Sequence, residues 1–256
     1  MIEVELQGHV ALVSLGHGKV NALDIELLAE LTSTLHQVES SGARAVVLTS
    51  SRPVFSAGVD LYRVLDGNDT YAFELITRLH ETFRAWFATP LPVVAAINGS
   101  AIAGGCVLAA CADFRLMTEG PSVIGVSELV VGVPFPAAAI EIVSFACAHH
   151  AGKVLLGGKL HSPAEATRVG LVHELAPGHD LMQRATAVAR QLAEHPGESA
   201  ALAKSHLRLR SLRWMDERCE HDGEVARIWS SADTHSRISD AIARSIRSRS
   251  TGASPT

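Results

Sequence analysis

Apolar positions along this chain change rhythm from segment to segment, and the rhythm predicts the elements. Val4-Glu5-Leu6-Gln7-Gly8-His9-Val10-Ala11-Leu12-Val13 alternates and turns at Gly8, which predicts a hairpin. Asp24 then precedes Ile25, Leu27, Leu28, Leu31, Leu35 and Val38, whose spacing is that of one helix face, so Asp24 reads as an N-cap. Strands are expected at 43–49, around the apolar run Ala45-Val46-Val47-Leu48, and at 92–97, with a helix from about 70 to 88 ended by Pro90 between them. An apolar helix through Ala112 follows, then strand-like Phe114-Arg115-Leu116-Met117 and Ser122-Val123-Ile124-Gly125-Val126. From Phe135 onward the pattern is almost wholly helical, apart from Gly170-Leu171-Val172-His173-Glu174-Leu175. Strands alternating with helices and then helices alone predict an α/β core with an appended helical part. His195-Pro196-Gly197 marks the change, giving a core over 1–195, a helical part over 196–248 and a disordered tail over 249–256.

Two turns interrupt this pattern in the same way. Phe55-Ser56-Ala57-Gly58-Val59-Asp60 follows Ala45-Val46-Val47-Leu48, and Asn98-Gly99-Ser100-Ala101-Ile102-Ala103-Gly104-Gly105-Cys106 follows Val93-Val94-Ala95-Ala96-Ile97. Each leads from a strand into sequence that can start a helix. Either could be an ordinary strand–helix turn. Together they could point two backbone N–H groups at one oxygen, an oxyanion hole for a carbonyl on its way to an enolate or tetrahedral adduct. Small residues suit that role because a ligand has to approach bare backbone.

Composition narrows the classes. A chain of 256 residues that is 47% hydrophobic can bury a large core, and a net charge of −5 argues against nucleic acid as a partner. The charge is uneven: residues 204–256 hold 10 of the 22 Lys and Arg but 7 of the 27 Asp and Glu, so the tail is +3 and the rest −8. A solvated helical surface is the ordinary explanation, and contact with a phosphorylated ligand the alternative. Cys106, Cys111, Cys147 and Cys219 lack CxxC spacing and read as reduced, mostly buried thiols in a cytoplasmic protein. The N-terminal residues do not form a secretory leader, and the longest apolar stretches, interrupted by Asn98, Gly104 or Asp113, predict no membrane span.

Four motifs in order give the pattern a family. Val20-Asn21-Ala22-Leu23-Asp24, the turn Phe55 to Leu61, the segment Pro92 to Asp113, and Gly157 with Ala164-Glu165-Ala166 and Gly170-Leu171-Val172 resemble the crotonase (enoyl-CoA hydratase/isomerase) superfamily over residues 1–190. The resemblance implies a spiral of ββα units, a helical C-terminal trimerisation part, and a homotrimer or dimer of trimers. It also implies an acyl-CoA substrate whose coenzyme A is the only cofactor-like group, and no metal. Matched onto the family pattern, the oxyanion amides fall on Ala57 and Gly104, while Val20, Ala22, Leu23 and Asp60 line the path of the coenzyme.

The departures carry information about the reaction. Hydratases of the superfamily use two glutamates to hold and activate water, and the first belongs where this chain has Val107. The second matches Glu128, which without that register would be an ordinary loop carboxylate. One carboxylate facing an apolar position suits a double-bond shift in an enoyl-CoA, with Glu128 as proton shuttle, as in Δ3,Δ2 isomerases. Glu141, thirteen residues on in an apolar helix, is the candidate second carboxylate or else one half of a structural ion pair. The other readings are hydration or another crotonase-type reaction, and an acyl-CoA-binding protein without catalysis. His80-Glu81-Thr82-Phe83-Arg84 lacks the second histidine of a zinc helix, Gly16-His17-Gly18-Lys19-Val20-Asn21 lacks the third glycine of a dinucleotide loop, and no GxSxG elbow occurs.

Overall fold

Small residues at the strand ends let this chain coil on itself in successive turns. The computed structural model describes residues 1–250. It opens with the antiparallel hairpin β1 (Ile2–Gln7) and β2 (Val10–Leu15), turning at Gly8 with φ +64. The first coil continues through β3 (Ala22–Leu23) into α1 (Ile25–Ser40), whose N-terminus is capped by Asp24 accepting from the Leu27 N–H at 2.8 Å. The second runs β4 (Ala45–Ser50), β5 (Gly58–Val59), α2 (Leu61–Asp66) and α3 (Asp69–Ala88). The third runs β6 (Val93–Ile97), β7 (Ala101–Ile102) and α4 (Gly104–Ala110), and β8 (Phe114–Thr118) and β9 (Ile124–Gly125) begin the fourth.

Each coil gives one strand to a main sheet and one short strand to a side ladder. The main sheet has the order β1-β2-β4-β6-β8-β10, where β10 is Glu174–Ala176, and every pair after the first is parallel. The side ladder pairs β3 with β5 and β7 with β9, both parallel, and a bridge from Ser56 to Ala101 joins the two pairs. This is the ββα spiral that the resemblance implied.

Parallel strands are covered on both faces, and the two faces of this sheet bury different partners. Val46, Leu48, Val93, Ala95 and Ile97 face the coil helices and join the main core. Ala45, Val47, Val94, Ala96 and Leu116 face the other way, against Leu181, Ala185 and Ala189 of α8 (Leu181–Ala193). Every residue of β4 and β6 is buried, which explains the apolar runs Ala45–Leu48 and Val93–Ile97, and buried Thr49 at the end of β4 donates its hydroxyl to the Ala96 carbonyl.

Three expectations shift in detail. The helix expected from about 70 is preceded by α2, because Asp60 caps it by accepting from the Tyr62 and Arg63 N–H groups, and Asn68 then starts α3 afresh. The strand expected over 122–126 keeps only two residues. Gly170–Leu175 is mostly turn: Gly170 has φ +84, and a Cβ there would lie 2.9 Å from the Ala146 carbonyl, so the strand starts at Glu174.

The remaining helices are α5 (Ala137–Cys147), α6 (Ala151–Gly157), α7 (Pro163–Arg168), α9 (Gly197–Arg218), α10 (Asp222–Trp229) and α11 (Ala232–Ser250). The tail expected to be disordered over 249–256 begins too early, since 249–250 complete α11, and 251–256 lies outside the described residues. Ala137–Gly157 as a stretch is long and apolar enough to cross a membrane by length and composition alone. It is broken at Ala148 (φ 46), and Ala138, Ile142 and Val143 of α5 belong to the main core.

The positive C-terminal tail is not simply a solvated surface. Lys204 and Arg208 of α9 are buried and clasp Asp113, with Nζ to Oδ2 at 2.7 Å and the Arg208 guanidinium to Oδ1 at 2.6 Å. Lys204 also donates to the Leu91 carbonyl, Arg208 to those of Phe87 and Cys111, and Asp113 Oδ2 accepts from the Val93 N–H. Burial pulls the Lys204 ammonium down to about 8. Removing the carboxylate leaves two buried cations without a counter-charge, facing carbonyls and, for Arg208, the Phe87 ring at 4.1 Å. Asp113→Ala is therefore expected to destabilise the chain by about 3–5 kcal/mol, read as a lowered urea midpoint at neutral pH.

Candidate active site

Backbone packed on backbone builds this site. The Ile102 N–H donates to the Ser56 carbonyl at 3.0 Å, and the Phe55 N–H to the Ser100 carbonyl at 3.0 Å, so the two expected turns lie edge to edge. A Cβ on Gly105 would sit 2.6 Å from the Ser56 carbonyl, and one on Gly58 2.7 Å from that of Ile102. Glycine is required at both positions for close approach. Asn21, buried with φ 47, braces the same corner: its amide donates to Ser50 Oγ and the Phe55 carbonyl, and its own carbonyl accepts from Ser56 Oγ at 2.7 Å.

Ala103 lies between β7 and α4 with φ 53 and ψ −127. That region is sparsely populated for a residue with a Cβ and costs of order 1–3 kcal/mol. The contortion sets Gly104 at the head of α4, and among the described residues its N–H meets no acceptor. A free amide at a helix N-terminus is what an oxyanion needs. The Ala57 N–H differs: it donates to the Val20 carbonyl at 3.0 Å, so its use by a ligand requires that bond to be shared or exchanged. Gly104 itself is hemmed in, since a Cβ there would lie 2.9 Å from Leu23 Cδ1.

Ala57, Ala103 and Gly104 line a cavity of about 120 Å3 that also takes in Val107, Glu128 and Trp229. Glu128 opens a 3₁₀ turn (Glu128–Val131) held by the Val133 N–H donating to the Glu128 carbonyl. Among the described residues its side chain is the only ionisable one on the cavity wall and Oε2 has no hydrogen-bond partner; Glu128 is 7% exposed. Burial pushes this carboxyl up to about 7, while hydrogen bonds from its own amide and that of Ser127 pull the other way. Val107 is fully buried on the same wall.

A second, outer groove of about 420 Å3 shares Ala57, Val59 and Leu61 with the cavity. Val20, Ala22 and Asp60 line it, together with Ala241, Ile242 and Ile246 of α11. Two expected site residues fall elsewhere. Leu23 is fully buried beneath Gly104 and lines neither space, because the β3 pairing turns it inward. Glu141 faces Arg218 at 3.4 Å and is absent from the cavity wall, which makes it one half of an ion pair and not a second carboxylate of the site. Among the described residues no cluster of His, Cys, Asp or Glu is placed to hold a metal ion.

The site also includes residues that sequence reasoning missed. Leu79 and Phe83 of α3, Trp229 of α10 and the α11 residues join it from distant parts of the chain. The helix expected from about 70 to 88 carries Leu79 and Phe83, and their spacing of four residues places them on one helix face without saying what that face meets.

Known proteins match this arrangement. The family model for enoyl-CoA hydratase/isomerase matches residues 5–234. The mitochondrial enoyl-CoA delta isomerase 1 of Mus musculus is 34% identical over 212 residues, covering 81% of this chain and 73% of that protein. The solved structure of human mitochondrial delta3-delta2-enoyl-CoA isomerase superposes with a TM-score of 0.91 at 27% identity, over 96% of this chain and 98% of that one. An enoyl-CoA hydratase structure from Bacillus halodurans, 22% identical with a TM-score of 0.85 over 93% and 99%, shares the fold. With the spiral, the strained turn at Ala103 and the buried Glu128 in place, this chain belongs to the enoyl-CoA hydratase/isomerase family.

Proposed function

We propose that the chain moves a double bond in an enoyl-CoA thioester from C3–C4 to C2–C3, with Glu128 carrying the proton. The observation that carries this reading is the single buried carboxyl with a free oxygen in an otherwise un-ionisable cavity. The thioester carbonyl oxygen is held by the Gly104 N–H, joined by Ala57 when it gives up Val20. Ionised Glu128 takes a proton from C2, and the electron pair passes into a dienolate whose charge rests on that oxygen. Returning the proton to C4 sets the double bond between C2 and C3 and restores the carbonyl. One group does both jobs best when its pKa lies near the working pH, and burial brings Glu128 to about 7.

Val107 supports isomerisation over hydration: valine can neither hold nor activate water, and the dry wall suits a dienolate that must not be trapped. The pantetheine arm fits the outer groove lined by Val20, Ala22 and Asp60, and no further cofactor is called for. Leu202, Leu207 and Leu209 stand exposed on α9, which supports a homotrimer or dimer of trimers.

Glu128→Gln keeps the shape and removes the base. Isomerisation of a 3-enoyl-CoA is expected to fall by roughly 10²–10⁴-fold with acyl-CoA binding retained, and an unchanged rate would sink the assignment.

The same substitution has a stability signature. A carboxyl raised from 4.5 to about 7 in the folded chain favours folding fully below 4.5, and that advantage is lost as pH rises through 7. Relative to the parent, Glu128→Gln is expected to gain about 3 kcal/mol between pH 4 and pH 8. Melting curves at the two pH values measure it.

Val107→Glu is expected to raise water addition to a 2-enoyl-CoA modestly above the parent. Two nearby carboxyls repel and keep one protonated, so full hydratase activity is not expected. A parent that hydrates faster than it isomerises would overturn the reading of Val107.

A further inference from the structure

The cavity behind Glu128 has a closed end. Val59 and Leu61, shared with the outer groove, are partly exposed at its mouth, as are Ile102, Ser127 and Val131 elsewhere on its wall. At the other end, Leu79, Phe83, Val133, Ala139 and Trp229 are each no more than 2% exposed, so no second opening leads to solvent through them.

Trp229 is the bulkiest piece of that end, and it is tied in place. Its indole Nε1 donates to the Pro134 carbonyl at 2.9 Å, just before α5 begins. At the other end of α10, Asp222 accepts from the Ala137 N–H at 2.9 Å and pairs with His80 of α3 at 3.0 Å. The helix carrying Trp229 is thus fastened at both ends to the two helices that supply the rest of the wall. Swinging the indole aside breaks a partly buried hydrogen bond and leaves the Pro134 carbonyl without it.

From these contacts we propose that Trp229, backed by Phe83, is the chain-length stop of the acyl pocket, restricting the enzyme to short acyl groups. The inference rests on the enoyl-CoA reading of the site and adds the substrate class. An apolar cavity of roughly 150 Å3 holds a six-carbon ring. The cavity here, at about 120 Å3, takes a smaller load, roughly four or five carbons beyond the thioester carbonyl. That corresponds to acyl groups up to about six carbons in all.

The sign of the chain-length effect separates a stop from an open tunnel. In a tunnel, each added methylene buries more apolar surface and tightens binding about fourfold. Against a fixed wall, added methylenes have to displace packed side chains and weaken binding instead.

Calorimetric titration with the saturated, unreactive thioesters hexanoyl-CoA and dodecanoyl-CoA tests this on the whole chain. The parent is expected to bind dodecanoyl-CoA about 100-fold more weakly than hexanoyl-CoA. Trp229→Leu, and separately Phe83→Ala, should each shift the ratio toward dodecanoyl-CoA by at least about 10-fold, in variants shown to be folded by circular dichroism. Equal or tighter binding of dodecanoyl-CoA by the parent overturns the inference, as does an unchanged ratio in both folded variants. Hexanoyl-CoA binding with the expected ratio, but no turnover of 3-hexenoyl-CoA, supports the stop while removing the isomerase reading. Failure of both thioesters to bind overturns the two together.

Discussion

Direct contact between two stretches of backbone is the constraint on which this molecule turns. The segments at Ser56 and Ile102 lie so close that glycine is required at 58 and at 105. That contact fixes the separation of the second and third coils of the spiral. It also determines where α4 begins, and therefore where the Gly104 amide stands relative to Ala57. The unfavourable torsion at Ala103 is held by the same packing, with its N–H donating to the Gly125 carbonyl at 2.8 Å. Strain of this kind persists only where the surroundings over-determine it, and here it sets the Gly104 amide at the head of a helix with no acceptor among the described residues.

Opposite in character to that amide is the Glu128 carboxyl. Nothing on the cavity wall carries a compensating positive charge, so desolvation governs it and holds the proton to near-neutral pH. In the proposed reaction the amide would stabilise negative charge on a ligand oxygen, and the carboxyl would give or take a proton with no second ionisable group among the described residues of the wall. The apolar Val107 belongs to the same design, because a dry wall both raises the carboxyl and denies a water molecule its footing.

The helices after residue 196 are part of the site as well as an appendage. Asp113, at the end of the third coil, takes Lys204 and Arg208 from α9 into a buried cluster. Asp222 and Trp229 then fasten α10 over the cavity, and α11 flanks the outer groove with Ala241, Ile242 and Ile246. The positive charge of the tail is thus spent in part on internal pairing, including Arg218 with Glu141.

Local rules written in the sequence determined a good deal: the hairpin at Gly8, the helix capped by Asp24, the two buried strands and the paired small-residue turns. These are set by periodicity, capping and glycine geometry acting over a few residues, whereas Glu128 was singled out only through the family pattern that four motifs in register resemble. The tertiary structure alone decided which way a side chain faces and what meets it across the chain. It turned Leu23 inward, gave Glu141 to Arg218, occupied the Ala57 N–H with Val20, and brought Leu79, Phe83 and Trp229 together as one wall. The physical reason is that such contacts join residues from separate coils and helices, up to about 150 positions apart in sequence. No local pattern encodes which of many apolar positions will meet, because apolar burial rewards area and is blind to the partner.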